Sequence, residues 1–294
     1  MKPYRSMLFV PGHKPAWVDK GVAAGADALI LDLEDSVPGP MKGEARTAVA
    51  ETLRTKSSAG SDLWVRPNSL VSGLLGADLE AIVGPGLAGL FLPKVFTALD
   101  VVRIDAVVAH LEQRNCLGPE SIPLIVSLET ATSMAHCEDI AAAAPRVGSL
   151  LGATGPDADV GRELGFEFTP KGEETLYLRS RIVLACRAAG LHHPLCGVWQ
   201  DIHDQDGFRT FAEDNRRLGY RGIVVIHPSH VAAANETFTP SAEKVAFYRE
   251  MIAAFRAAEA DGHAAIDFQG QHVDLAHVKT AQGVIDLAEA VAKS

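Results

Sequence analysis

The chain lacks several things that would place it in other classes. No run approaches the roughly 18 uncharged apolar residues of a membrane-spanning helix, which argues against a membrane protein. The apolar start, Met1–Gly12, breaks at Pro11-Gly12 without a small-residue cleavage site, so no signal peptide is predicted. Cysteine is scarce. Cys116, Cys137, Cys186 and Cys196 show neither close pairing nor metal-ligand spacing, which predicts reduced thiols in a cytoplasmic protein. Positive charge is also short, with 27 Lys+Arg against 37 Asp+Glu and a net charge of −10. That balance argues against a nucleic-acid binder, which concentrates Lys and Arg on one face. It leaves room for a small anionic substrate, because local clusters decide that. No Gly-x-Gly-x-x-Gly follows the first apolar run, which disfavours an open dinucleotide-binding sheet.

What remains is a chain able to bury a sizeable core, 47% hydrophobic and 22% charged over 294 residues. Eight short apolar runs read as buried parallel strands: Ser6–Val10, Ala28–Leu33, Leu63–Arg66, Gly89–Leu92, Leu124–Leu128, Val147–Gly152, Leu195–Trp199 and Gly222–Ile226. Helical patterns lie between most of them, at Pro15–Ala24, Lys42–Thr55, Leu99–Arg114, Ala131–Ala142, Glu173–Ala189 and Gly207–Leu218. Strands apolar on both faces, alternating with amphipathic helices about eight times, predict an α/β fold, a (β/α)₈ TIM barrel. Some 65 residues follow the eighth run. Ser241–Glu259 reads as a long helix with Val245, Tyr248, Ile252 and Phe255 near one face, then a polar stretch Asp261–Val273, then a helix Asp274–Val291. The expected organisation is a barrel over 1–235 and a C-terminal helical extension over 236–294, either a covering helix pair or an arm reaching a neighbouring subunit.

In such a barrel the chemistry sits at the C-terminal ends of the strands. The second run ends in Asp32-Leu33-Glu34-Asp35, the third in Arg66-Pro67-Asn68 and the fourth in Pro93-Lys94. The fifth ends in Glu129-Thr130, the sixth leads to Asp157 and Asp159, and the eighth ends in His227-Pro228. Any one of these acids could cap the following helix. Together, a carboxylate ending strand five and another just past strand six suit one hard cation. Mg²⁺ takes few protein carboxylates and keeps positions for substrate oxygens. Zinc would call for His or Cys, and this rim offers only His227. Arg66 is the natural counter-charge, a planar fork for a carboxylate or developing alkoxide. The residues alone point to a metal-dependent enzyme acting on a small anionic oxo or hydroxy acid.

These motifs resemble a known family. Arg5-Ser6-Met7-Leu8-Phe9-Val10-Pro11-Gly12, Leu31-Asp32-Leu33-Glu34-Asp35-Ser36-Val37, the following Lys42 and Arg46, Val65-Arg66-Pro67-Asn68, Leu128-Glu129-Thr130-Ala131 and Ile226-His227-Pro228-Ser229 look like the citrate lyase beta-subunit-like family. That family belongs with the pyruvate-type aldolases and malyl-CoA lyases of the HpcH/HpaI superfamily. The resemblance runs in order from about residue 4 to 290. It implies a TIM barrel, homo-oligomeric as a trimer or hexamer, using Mg²⁺ (with Mn²⁺ as a substitute) to cleave 3-hydroxyacyl-CoA thioesters. It implies Glu129 as the first metal ligand and a substrate contact, and Arg66 as the arginine holding the oxo-acid end. Glu34 and Asp35 become the acidic pair behind the metal, with Lys42 and Arg46, and further Lys14 and Lys94, as weaker candidates for CoA. Gly270-Gln271-His272-Val273-Asp274 resembles the tail segment whose aspartate a neighbouring subunit delivers to the reacting carbon, which makes Asp274 the candidate proton donor. The helix-cap reading of Asp274 is equally compatible.

The sequence departs from the family pattern in places. The second metal ligand falls in a segment with extra residues, Gly152 to Gly165, where Asp159-Val160-Gly161-Arg162-Glu163-Leu164-Gly165 gives the better match and Asp157 is the reserve. Arg221-Gly222 and His272 replace the commoner Gly-Lys and Met, which bears on thioester specificity. The expected activity is a Mg²⁺-dependent carbon–carbon lyase on a malyl-, citramalyl- or citryl-CoA-type thioester. The alternatives are a CoA-free 4-hydroxy-2-oxo-acid aldolase, a malyl-CoA thioesterase, and the beta subunit of a multi-subunit citrate lyase.

Overall fold

The computed structural model of the chain describes residues 1–56, 60–156 and 158–292. Eight parallel strands close a barrel in sequence order: β1 (Ser6–Pro11), β2 (Ala28–Asp32), β3 (Asp62–Arg66), β4 (Gly89–Leu92), β5 (Leu124–Leu128), β6 (Val147–Ala153), β7 (Leu195–Gly197) and β8 (Gly222–Val225). The seam pairs Leu8 of β1 with Val225 of β8. The helices of this part are α1 (Trp17–Ala23), α2 (Lys42–Lys56), α3 (Leu75–Ile82), α4 (Ala98–Arg114), α5 (Ala131–Ala135), α6 (Cys137–Ala141), α7 (Asp159–Leu164), α8 (Leu176–Ala188), α9 (Gln205–Leu218) and α10 (Val231–Phe238). The TIM barrel expected from the alternating periods is therefore the fold. The helix expected over Ala131–Ala142 is two short ones, because His136 leaves helical geometry at φ −114° and ψ 21°. The pattern did not reveal α3, α7 or α10, which at six to eight residues hold no more than about two turns of amphipathic repeat.

Strand residues alternate between the barrel interior and the helix-facing side. The interior is filled by Met7, Ala28, Ile30, Trp64, Phe91, Ile125, Leu151, Leu195 and Val224, all buried. Two residues further along β1, β2 and β3, the same alternation reaches Phe9, Asp32 and Arg66. Four residues beyond Ile125 it reaches Glu129. The repeat that packs the interior with apolar groups thus turns polar at its C-terminal end.

The opposite end carries buried structural charge. Arg5 Nη2 and Nε lie 2.7 and 3.0 Å from the two Asp27 oxygens, tying the starts of β1 and β2. Arg146, just before β6, pairs with Glu112 of α4 at 2.9 Å and also with Asp105. Arg5, the first residue of the motif Arg5–Gly12, therefore serves stability at the end away from the chemistry.

The chain divides into two compact units, one formed mainly by Pro3–Glu236 and the other by the chain from Thr237 onward. The second holds α11 (Ala242–Ala260), the antiparallel hairpin β9 (Ala265–Phe268) and β10 (Gln271–Asp274), and α12 (Leu275–Ala292). Its own core joins Met251, Ile252 and Phe255 to Val273, Val278, Ala281 and Ile285, with Val245 and Tyr248 packed against it. The polar stretch expected over Asp261–Val273 contains most of this hairpin. Gln269 and Gly270 turn it with φ of 51° and 78°, the signature of a type I′ turn. A Gln-Gly pair is not the usual sequence signal for such a turn. Among the described residues no helix is long and apolar enough to cross a membrane.

Gly12 shows why the first motif ends in glycine. Its N–H donates to the Asp32 carbonyl at 2.8 Å, and a Cβ there would lie 2.6 Å from that same oxygen. The obstacle is backbone and cannot rotate away. Gly12→Ala should therefore cost about 1–3 kcal/mol and lower Tm by ~2–12 °C. A calorimetric scan that superimposes on the wild type would refute the close approach.

Candidate active site

The site is built around Asp32, the last residue of β2, which is 1% exposed. Its Oδ1 and Oδ2 accept from Arg66 Nε at 2.6 Å and Nη2 at 2.7 Å, a bidentate pair across neighbouring strands. The register sets this geometry, since Asp32 and Arg66 are direct partners in the β2–β3 pairing. The N–H groups of Glu34 and Ser36 donate to the same carboxylate, so it also folds the turn that follows β2. Burial alone would raise the Asp32 pKa, but the hydrogen bonds and charge of Arg66 outweigh it and hold the group below its usual range. Arg66 lies 4.6 Å over the Phe9 ring, a cation–π contact that supports the face of the guanidinium. Its third nitrogen, Nη1, stands 3.4 Å from Glu34 Oε2. The fork expected to grip substrate is thus largely committed to Asp32, and only Nη1 is turned away from it, towards Glu34.

Lys94 closes the other side. Its ammonium is 2.8 Å from Glu34 Oε1 and 3.0 Å from Asp35 Oδ1. Its backbone is left-handed at φ 48°, a conformation few non-glycine residues adopt, and its N–H donates to Glu129 Oε2 at 3.3 Å. One residue therefore addresses three carboxylates with its two ends. Burial raises the Glu34 pKa to about 7, despite the opposing charges of Arg66 and Lys94. Burial likewise raises Glu129, with Arg66 offsetting only part of the effect and the negative charge of Asp159 adding to it.

The electrostatics suit a divalent cation. Asp32, Glu34, Asp35 and Glu129 carry four formal negative charges against the two cations Arg66 and Lys94. Glu129, half-buried and with its pKa raised, is an oxygen donor with lone pairs to spare. Asp159 is the first residue of α7, 41% exposed, and pairs with Arg162 at 2.6 Å. It is close enough for its charge to act on Glu129. Asp157 lies outside the described residues. No three His, Cys, Asp or Glu side chains converge on one point among the described residues. Two carboxylates completed by water and substrate oxygens is the coordination Mg²⁺ favours over a closed protein cage.

Other sequence candidates have internal partners. Lys42 Nζ donates to the carbonyls of Leu33 and Glu34, both at 2.6 Å, and so fixes the backbone beneath the acidic pair. Arg46 Nε is 2.7 Å from the buried Asp78, which also accepts from the N–H and side-chain amide of Asn68 at 2.8 and 2.6 Å. The Asp78 contacts hold the loop after Arg66, and both basic residues thus have internal partners. Lys14 has no carboxylate partner among the described residues and rests 4.6 Å over the exposed Trp17 ring. Asp274 stands in the second unit, where it caps α12 through the N–H groups of Ala276 and His277.

The sequence reading did not single out Asp32, Lys94 or Phe9 as the organisers of the site. The alternation along β1 and β2 could have shown that Phe9 and Asp32 face the interior. The left-handed turn at Lys94 leaves no such trace.

Removing Asp32 strands a buried guanidinium, so Asp32→Ala should cost roughly 3–5 kcal/mol in urea denaturation. Asp35→Ala, at a group 60% exposed, should cost under about 1 kcal/mol. Equal effects would contradict the hierarchy of the two carboxylates. For Glu34 the folded pKa lies above the ordinary 4.5, so the fold favours its protonated form. That contribution is present below 4.5 and is lost as pH rises through about 7. In EDTA, Glu34→Gln should therefore show a flatter Tm-against-pH curve from pH 5 to 8 than the wild type. Parallel curves would contradict the shift.

Comparison with known proteins places this arrangement. Residues 5–228 match the family described as HpcH/HpaI aldolase/citrate lyase. An L-malyl-CoA/beta-methylmalyl-CoA lyase of Cereibacter sphaeroides is 36% identical over 312 residues, covering 99% of this chain and 96% of the relative. A mitochondrial citramalyl-CoA lyase of Rattus norvegicus is 33% identical, covering 98% and 87%. Among solved structures, the CitE protein of Mycobacterium tuberculosis in complex with magnesium, acetoacetate and coenzyme A superposes with a TM-score of 0.76 at 29% identity, covering 98% of both chains. With its buried Asp32–Arg66 pair and the carboxylates gathered at the C-terminal ends of its strands, the chain belongs to the HpcH/HpaI aldolase/citrate lyase family.

Proposed function

We propose that this protein is a Mg²⁺-dependent carbon–carbon lyase that cleaves a 3-hydroxyacyl-CoA thioester of a dicarboxylic acid, of the malyl-, citramalyl- or citryl-CoA class. The products are a 2-oxo acid and an acyl-CoA. The observation that carries this reading is the half-buried Glu129 carboxylate within the field of Arg66, where negative charge exceeds positive and a hydroxy acid could bind through oxygen. The relatives named for lyases of such thioesters, and the related structure holding magnesium and coenzyme A, support the same assignment.

In this reading Glu129 and Asp159 hold the metal, with Mn²⁺ as a working substitute. When bound, the ion supplies Lewis acidity to the oxygens of the hydroxy acid. The Arg66 Nη1 edge takes the oxygen that becomes the 2-oxo carbonyl. Glu34, with a pKa near 7 and Lys94 and Asp35 around it, accepts the hydroxyl proton. The carbon–carbon bond then breaks, its electron pair passing to the acyl-CoA fragment as an enolate. Asp274 protonates that carbon. Lys14 and Trp17 are the contacts we assign to CoA, since Lys42 and Arg46 are held by internal partners. The reading takes the protein as a cytoplasmic homo-oligomer in which the tail of one chain serves the rim of another. A CoA-free aldolase has no use for a thioester proton donor such as Asp274, and ranks second.

The test is a screen with Mg²⁺ of malyl-CoA, citramalyl-CoA and citryl-CoA against CoA-free 4-hydroxy-2-oxo acids. Thioester cleavage that stops in EDTA and returns with Mg²⁺ is expected, and cleavage of the CoA-free acids alone overturns the reading. Glu129→Gln should lower Mg²⁺-dependent kcat by at least ~10²-fold and abolish Mg²⁺ binding in calorimetry, with the fold intact. Unchanged Mg²⁺ affinity in that variant would remove Glu129 from the metal site.

A further inference from the structure

Asp274 is held more firmly than a helix cap requires. Its Oδ1 accepts from the N–H of Ala276 at 2.9 Å and the N–H of His277 at 3.3 Å, which already satisfies the start of α12. A third group, His277 Nδ1, stands 2.7 Å from the same oxygen. The Asp274 backbone N–H also points at Nδ1, from 3.3 Å, but the contact to Oδ1 is much the shorter, and an Oδ1 without a proton can only accept, so the proton is assigned to Nδ1 and His277 donates. All three donors converge on Oδ1. Oδ2 has no hydrogen-bond partner among the described residues, and the side chain is 43% exposed. Packing does not hold the imidazole in place. It is 52% exposed, borders a cavity of about 250 Å³ lined by Tyr248, Met251 and Thr280, and meets the His272 ring only edge-on at 6.2 Å. The bond to Asp274 is therefore what orients the ring, and reciprocally what stops the carboxylate from rotating.

We propose that His277 is a positioning residue for Asp274: its Nδ1–H locks Oδ1 and leaves Oδ2 as the one oxygen presented for proton transfer. This rests on the reading of Asp274 as the proton donor to the acyl-CoA carbon. Protonated on Oδ2, with Oδ1 still accepting from His277, Asp274 passes that proton to the carbon as the enolate electron pair forms the C–H bond. The carboxylate left behind takes its next proton from water. Two backbone donors alone would leave the carboxylate free to exchange its oxygens, and misplacement of a reacting group by an ångström is costly.

The experiment uses the full chain with Mg²⁺ and whichever of the three thioesters the wild type cleaves. His277→Ala should lower kcat by about 10²-fold with KM changed less than about 3-fold. His277→Asn, whose side-chain N–H can reach the position of Nδ1, should recover kcat to within about 5-fold of the wild type. Wild-type kcat in His277→Ala overturns the proposal. So does an equal loss in both variants, or a loss confined to KM. Circular dichroism reports folding, and if His277→Ala does not fold, His277→Phe replaces it in the same comparison. Asp274→Asn separates the two levels. Full activity there sinks the role of Asp274 itself, whereas an inactive Asp274→Asn beside an unaffected His277→Ala sinks only the role of His277. A wild type inactive on all three thioesters overturns both.

Discussion

The bidentate pair between Asp32 and Arg66 is the interaction on which the site depends. Two opposite charges are buried at the mouth of a barrel whose interior is otherwise apolar, and neither would be tolerated there without the other. The barrel supplies the geometry, because β2–β3 register sets the two residues directly opposite each other. Phe9 supplies a floor for the guanidinium, and the N–H groups of Glu34 and Ser36 complete the coordination of Asp32. Through those N–H bonds the same pair shapes the turn that presents Glu34 and Asp35. A structural ion pair and the placement of the neighbouring acids are thus one construction.

Around that centre the charges form a graded series. Asp32 stays ionised because Arg66 outweighs its burial. Glu34 is pushed up to about 7 because burial exceeds what Arg66 and Lys94 return. Glu129 is raised as well, because burial exceeds what Arg66 returns. Neighbouring carboxylates are thereby driven to different protonation behaviour by environment alone, the usual route by which one cleft assigns separate jobs to chemically identical groups. Lys94 links them, its ammonium on Glu34 and Asp35 and its strained backbone N–H on Glu129. The excess of negative charge suits a hard divalent cation.

The basic residues show how a motif can be read correctly as a pattern while its parts serve other ends. Lys42 and Arg46 follow the acidic motif at the spacing the family resemblance requires, and both touch the neighbourhood of the site. They do so from beneath, one on two carbonyls and one on a buried aspartate, holding loops in place. Arg5 likewise opens a motif that ends at the site, yet it anchors the far end of the barrel on Asp27. Asn68 belongs to the same category, its amide and N–H both on Asp78.

Much of the fold was legible in the sequence, since burial on both faces leaves a continuous apolar run at each strand and burial on one side leaves a helical period. Those are local consequences of a closed parallel barrel, and eight repetitions of them specify it. Strand ends were legible for the same reason, which is why Glu34, Asp35, Arg66 and Glu129 stood out. What the linear order could not express is which charges meet. Asp32 and Arg66 are 34 positions apart, Lys94 and Glu129 35, and Glu34 and Lys94 60. Partner choice and the left-handed turn at Lys94 depend on tertiary register and on burial. Those quantities exist only once the strands have closed and the second unit has packed. The residue types were set by the sequence; their pKa values and partners were decided by the tertiary structure, because electrostatic energy depends on distance and dielectric rather than on order along the chain.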